Sequence, residues 1–333
     1  MRVIVLTIMS IVLAAGPAAA REKVRDRIAE RREATTDNQR LTGPGDYEFT
    51  LVHDGLLRRY LVHVPSSFDR SRPGAVVIGL HGGGGHAAHF ANDGNYGVIT
   101  ASEKYGFIAV FPNGYSRNRR GLFATWNAGA CCGDARDRNV DDVGFIAAVV
   151  ARVKRQALVD DARVYAIGMS NGALMAYRLA CEIPDVVRGI MAVAGTDNTL
   201  SCAPKRPTPA LHIHAVNDTH VLFNGGAGED AFRDVSKVTD FVSVPATIEK
   251  WVRLNGAQER SERVLDVPGA YCDLHRAEAG GAPVQLCVTA GGGHSWPGAK
   301  RGGRGKEPPS QAINANDVMW AFFAGQPVQD HSQ

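Results

Sequence analysis

The chain is poor in several features, and each shortage narrows what it can be. Its 333 residues carry a formal charge of only +3, +2 without Arg2, so there is no broad basic field of the kind that binds nucleic acid. No phosphate-cradling G-x-x-x-x-G-K-[ST] run occurs, which removes the commonest nucleotide loop. The six cysteines show no C-x-x-C spacing, so zinc on cysteine is the weaker reading. No cysteine follows the N-terminal apolar run, so a lipoprotein anchor is not indicated. Aromatic residues make up 7% of the chain, too few for a broad apolar docking face. Internal repeats are absent, as is a Ser/Thr-rich linker leading to a second module.

What is present begins with residues 1–20: Arg2, an apolar run, Gly16-Pro17, and Ala18-Ala19-Ala20 as an A-x-A-type cleavage site. This pattern is a secretory signal peptide rather than a membrane anchor, so the expected location is secreted or periplasmic. Residues 21–45 open with a dense mixed-charge stretch lacking an apolar face, expected as a mobile leader. Residues 46–325 are expected to form the catalytic domain, with 326–333 as a tail. In an exported chain, Cys131, Cys132, Cys181, Cys202, Cys272 and Cys287 are expected in disulfides. Cys272 and Cys287 lie in an apparent strand pair and are the first-choice bridge. Cys131 and Cys132 are expected to bond elsewhere, because a ring between neighbours is strained.

Two strand patterns meet at Asp54-Gly55, a hairpin signal. Six apolar runs follow, AVVIGLHG, FIAVFPNG, ARVYAIGMS, GIMAVAGT, ALHIHAVND and VQLCVTAGGGH, each ending in turn residues. Without alternation, they read as strands buried on both faces. Helical patterns cover Val143 to Leu158, Asn171 to Cys181, Pro245 to Leu254 and Asn314 to Phe323. The expected fold class is α/β, a doubly wound, mostly parallel sheet with an antiparallel N-terminal hairpin.

The most informative run is Gly168-Met169-Ser170-Asn171-Gly172, placed between a strand pattern and a helical one. G-x-S-x-G in that setting lifts a serine hydroxyl above the sheet edge on a sharp turn. A serine is a poor nucleophile until a base takes its proton, and an acid must orient the base. The chain order Ser…Asp…His selects Asp218, just past one apolar strand, and His294, in the glycine-rich loop after the last. Asp240 and Asp197 fit that order less well. An oxyanion hole is expected from the N–H of Asn171 and from Gly82 and Gly83, in the run His81 to Gly85. His212, His214, Asp218 and His220 could ligate a metal, but hydrogen-bonded structural histidines are the favoured reading. Trp126 and Trp296 sit in loops near the expected site and are candidates for substrate stacking as well as for the core.

Taken together, LHGGGG, WNAGACCG, VDDVGF, IGMSNGALMAYRLAC, LHIHAVND, GGGHSWPG and DVMWAFF resemble the polyhydroxybutyrate depolymerase/feruloyl esterase family of α/β-hydrolases, in the family's order from about residue 47 to 324. The resemblance implies Ser170 as nucleophile, Asp218 and His294 as partners, and ester hydrolysis outside the cytoplasm. It also implies a disulfide pinning the Cys131-Cys132 loop near the pocket. The expected substrates are feruloyl, acetyl or short hydroxyalkanoate esters, with no metal or organic cofactor. Polymer hydrolysis, peptide hydrolysis on the same triad, and a catalytically silent binding protein are the alternatives.

Overall fold

In the computed structural model the described residues are 40–231, 239–300 and 307–326. The signal peptide, residues 21–39 of the leader and the tail beyond 326 lie outside them. The hairpin forms as its sequence dictates: β1 (Gly45–His53) and β2 (Leu56–Val64) pair antiparallel around Asp54 and Gly55. Both turn residues have positive φ, 50° and 70°, the backbone that suits right-twisted strands.

Eight further strands complete one sheet: β3 (Gly74–Leu80), β4 (Ile108–Pro112), β5 (Val159–Met169), β6 (Gly189–Val193), β7 (Ala210–Ala215), β8 (Glu262–Val267), β9 (Ala270–His275) and β10 (Val284–Thr289). Their order is β1-β2-β4-β3-β5-β6-β7-β10-β9-β8. From β4 to β10 all neighbours are parallel, and both flanks are antiparallel. Successive residues of β3 feed opposite cores: Val76, Ile78 and Leu80 one cluster, Ala75 and Val77 the other. That two-sided burial is why the central strands read as continuous apolar runs.

Among the described helices, α1 (Ala87–Phe90), α2 (Asp93–Tyr96) and α3 (Val98–Tyr105) are short and lie between β3 and β4. They are followed by α4 (Gly133–Asp137), α5 (Asp142–Lys154), α6 (Asn171–Glu182), α7 (Val244–Asn255) and α8 (Ala315–Ala324). Helices α5, α6 and α7 pack on one face of the sheet, α3 and α8 on the other. Local chemistry sets the ends of α7: the Ser243 hydroxyl accepts from Ala246 N, Pro245 occupies the first turn, and Gly256 stops the helix at φ 55°. None of the described helices is long and apolar enough to cross a membrane.

Two expectations change. The leader's last residues are held: Leu41 is buried, its N–H donates to Gln156 Oε1 at 3.0 Å, and Arg70 donates to its carbonyl. Its apolar side chain joins the core near Val64, Phe68 and Ile108. Cys131 and Cys132 are joined to each other, because Cys181–Cys202 and Cys272–Cys287 leave no other sulfur for them. The Cys272–Cys287 bridge follows the expected strand pair, the two residues standing opposite each other in register.

Candidate active site

The parallel strands share one carboxyl edge, and the sequence-selected residues gather along it. The glycine run follows β3, Ser170 follows β5, Asp218 lies just past β7, and His294 lies in the loop after β10. β3 stands between β4 and β5, so the chain reverses direction across the sheet there, the usual crevice of an open α/β sheet.

Ser170 stands at φ 55°, ψ −125°, a strained conformation for a side-chain-bearing residue, with its N–H bonded to Val193 O at 2.9 Å. The motif's two glycines answer to sterics. A Cβ on Gly168 would overlap the backbone of Gly172, and one on Gly172 would overlap the Leu80 carbonyl of β3. A Cβ on Gly195, after β6, would come within 2.5 Å of the Ser170 carbonyl. The serine is thus gripped by bare backbone on two sides.

The glycine run lies against this elbow. The Cβ position of Gly82 is 3.5 Å from Ser170 Cβ, and that of Gly83 is 3.6 Å from Asn171 Cβ. His81 sets its pose. Gly114 N–H donates to His81 Nε2 at 2.9 Å, so the ring proton must sit on Nδ1, which donates to Gly82 O at 2.8 Å. With that carbonyl turned toward His81, the trans peptide turns the Gly83 N–H the opposite way. The N–H groups of Gly84 and Gly85 are committed to Ala124 O and Gly82 O. Burial pushes the His81 pKa down to about 3, so the ring is neutral at working pH.

Asn171 begins α6, where its backbone N–H has no acceptor within the helix. Its side chain brackets the backbone of Trp126, accepting from Trp126 N at 2.7 Å and donating to Trp126 O at 3.1 Å. Cys132 N–H also donates to Trp126 O, so the Cys131-Cys132 loop lies next to Asn171, the residue after Ser170. Asp142 secures the same segment, accepting from Asn127 N at 2.8 Å and from Arg58 Nη2 at 2.6 Å.

Asp218 and His294 meet as expected: His294 Nδ1 donates to Asp218 Oδ2 at 2.9 Å, with Oδ1 at 3.1 Å. Both side chains are buried. Asp218 Oδ1 also accepts from His220 N at 2.7 Å and Val221 N at 3.0 Å. Burial alone would raise the Asp218 pKa; hydrogen bonds from His214 and His294 outweigh it and hold the carboxyl well below its usual range. Asp197 accepts from Trp251 Nε1 at 2.9 Å and Lys250 Nζ at 2.8 Å, and Asp240 is exposed.

The His220 ring stacks on His294, centroids 4.3 Å apart and planes within 14°. Although Asp218, His220 and His294 bring ligand atoms close together, lone pairs lying in two near-parallel planes do not converge on one ion. His212 and His214 are hydrogen-bonded within the core, to Tyr177, to each other and to Val221 O.

The two tryptophans are corrected. Trp126 is fully enclosed, with its indole N–H on His81 O and its ring against the His81 ring. Trp296 is 2% exposed, packed edge-on against Phe90 and Tyr96. Their ring faces are spent on the protein's own side chains. A loop position in sequence carried no information on this. Sequence reasoning missed the roles of His81, Asp142, Gly195 and His220; the only signal for His81 was its place at the head of the glycine run.

Comparison with known proteins agrees with this architecture. The family described as Esterase PHB depolymerase matches residues 59–199. A putative esterase, NocK, from Nocardia uniformis is 31% identical over 264 residues, covering 74% of this chain and 73% of its own. Feruloyl esterase B from Piromyces equi is 29% identical over 253 residues, covering 74% of this chain; the match spans 44% of that protein's length. In fold, the acetyl xylan esterase from Aspergillus awamori aligns with a TM-score of 0.54 at 15% identity, over 83% of this chain and 98% of its own. The chain belongs to the esterase PHB depolymerase family of α/β-hydrolases.

Proposed function

We propose that the protein is a secreted or periplasmic serine carboxylic-ester hydrolase working through Ser170, His294 and Asp218. The observation that carries the reading is the buried Asp218–His294 pair on the same sheet edge as a serine held at positive φ. His294 Nε2 takes the Ser170 proton while Asp218 holds Nδ1–H and the developing imidazolium. Ser170 Oγ attacks the ester carbonyl, and its oxygen rests on N–H groups of Asn171 and the Gly82–Gly83 turn. The tetrahedral adduct collapses, the C–O bond breaks, and the alcohol leaves with the proton from His294. Water then repeats the sequence on the acyl-enzyme.

Feruloyl or acetyl esters of the kind borne by plant polysaccharide are the proposed substrates, supported by the names of the relatives. Short hydroxyalkanoate esters fit the same chemistry. The test is Ser170→Ala against methyl ferulate, an aryl acetate and a hydroxybutyrate trimer. Losing the nucleophile should lower kcat by roughly 10⁴-fold or more with the fold intact. A variant within tenfold of wild type on all three would overturn the assignment.

A further inference from the structure

Behind the catalytic acid runs a line of buried polar groups that the mechanism above does not use. Tyr177 Oη lies 2.8 Å from His212 Nδ1, and His212 Nε2 lies 3.1 Å from His214 Nδ1. His214 Nε2 lies 2.8 Å from Val221 O and 3.4 Å from Asp218 Oδ2. All four side chains, Asp218 included, are at most 2% exposed. The line joins α6, which starts at the nucleophile, to β7 and to the acid.

Its proton positions follow from its end. Val221 O and the Asp218 carboxylate can only accept, so His214 Nε2 must carry a proton. A neutral His214 then presents a bare Nδ1, which only a proton on His212 Nε2 can satisfy. A neutral His212 in turn presents a bare Nδ1, so Tyr177 donates its hydroxyl proton. Every bond points one way, toward Val221 O and the Asp218 carboxylate beside it. Burial, followed by the neighbouring His214, holds the His212 pKa well below the usual histidine value, which keeps His212 neutral.

We propose that Tyr177, His212 and His214 act as positioning residues, a one-way hydrogen-bond chain whose last N–H donates to Val221 O and stands 3.4 Å from Asp218 Oδ2, and so fixes the turn and the field around the oxygen that holds His294. The proposal rests on the triad reading above. Oδ1 is already fixed by two backbone N–H groups, whereas Oδ2 makes the short bond to His294 Nδ1. A donor near Oδ2 therefore bears on the catalytic contact itself. Reversing any one bond forces the others to reverse, and the reversed chain sets a lone pair of His214 against the carboxylate. Tyr177, at the far end, opposes that reversal by donating. The other titratable groups around the chain are His220 and His294 beside Asp218, and Asp197 with Lys250 beside Trp251, which packs on Tyr177.

Two measurements test this. In full-length protein with ¹⁵N-labelled histidine, long-range ¹H–¹⁵N spectra should show His212 and His214 as neutral Nε2–H tautomers from pH 5 to 8. Either ring as the Nδ1–H tautomer, or titrating in that window, overturns the chain. This readout does not depend on activity, so it separates failure of the chain from failure of the triad. The second measurement is kinetic. His214→Phe should lower kcat about tenfold or more, through loss of the Val221 O bond and of the N–H beside the carboxylate, with KM within about twofold. His214→Gln, which keeps a side-chain N–H, should recover part of that loss. Tyr177→Phe, remote from the carboxylate, should lower kcat by about threefold, with KM likewise unchanged. Equal kcat in His214→Phe and His214→Gln, or a Tyr177→Phe enzyme identical to wild type, would overturn a positioning role. If His214→Phe fails to fold, the tautomers and Tyr177→Phe still decide.

Discussion

The two halves of the site are built from different materials. The Ser170 half, formed by the ends of β3, β5 and β6, is held by backbone pressed on backbone: Gly168 on Gly172, Gly172 on Leu80, Gly195 on Ser170. The Asp218–His294 half, formed by the ends of β7 and β10, is held by polar side chains: Asp218 is bonded to His294, and Tyr177, His212 and His214 are bonded in line behind it. Steric contact is indifferent to pH and intolerant of one added methyl. Hydrogen-bonded rings are the reverse. The Ser170 half should therefore break under small changes of volume, and the Asp218–His294 half under changes of proton count.

The largest effect separates two glycines. Gly172→Ala sets a Cβ into the β3 backbone, where neither partner is a flexible side chain. We expect a loss of about 4 kcal/mol or more, seen as little soluble protein or a steep fall in Tm. Gly291, in the loop that carries His294, has open space at its Cβ position, and Gly291→Ala should leave Tm near wild type. Equal tolerance at both positions would remove the distinction.

Next in size is Asp218→Asn. The amide oxygen can still accept from His220 N and Val221 N, but its NH₂ then faces His294 Nδ1 and favours the wrong tautomer. A loss of about 10⁴-fold in kcat is expected, as for an acid that orients a catalytic histidine, with a folded enzyme. A loss under tenfold would mean that another acid serves His294.

A smaller effect crosses the divide, because the steric half includes a titratable ring. His81 has its pKa pushed down to about 3 by burial, from 6.5 in an open chain. The unfolded chain binds this proton first, so stability is whole above pH 6.5 and falls as pH drops from there toward 3. By pH 5 the loss from this group should be about 2 kcal/mol, readable as a lower urea midpoint than at pH 7.5. His212 acts in the same direction. His81→Asn should flatten the slope between pH 7.5 and 5; an unchanged slope would show that His81 does not carry it.

The same contrast explains what the sequence disclosed. Ser170 was legible because a serine at positive φ needs small residues at fixed offsets, and those offsets are local. Asp218 and His294 were legible through chain order and the buried runs before them. The hairpin at Asp54-Gly55 and the Cys272–Cys287 register were readable for the same local reason. Contacts formed across the fold were not. The Asn171 clasp on Trp126 spans 45 residues and the Tyr177–His212 bond 35, and neither leaves a periodic trace. Trp126 and Trp296 were left open between substrate stacking and core because a loop in sequence can still be core in space. Strand β8 escaped notice because it is a half-exposed edge, without the continuous apolar run of the central strands. The Cys131–Cys132 pair was missed because only the partnering of the other four cysteines leaves the two to each other.

The most direct test of the central claim, that Ser170 is the nucleophile activated by His294 and Asp218, is covalent trapping. The folded protein is treated with a fluorophosphonate, and the adduct is located by intact mass and peptide mapping. The account predicts one adduct per chain, on Ser170, forming far more slowly in Asp218→Asn and not at all in Ser170→Ala. An adduct on any other residue, or labelling of Ser170 at an unchanged rate in Asp218→Asn, would contradict it.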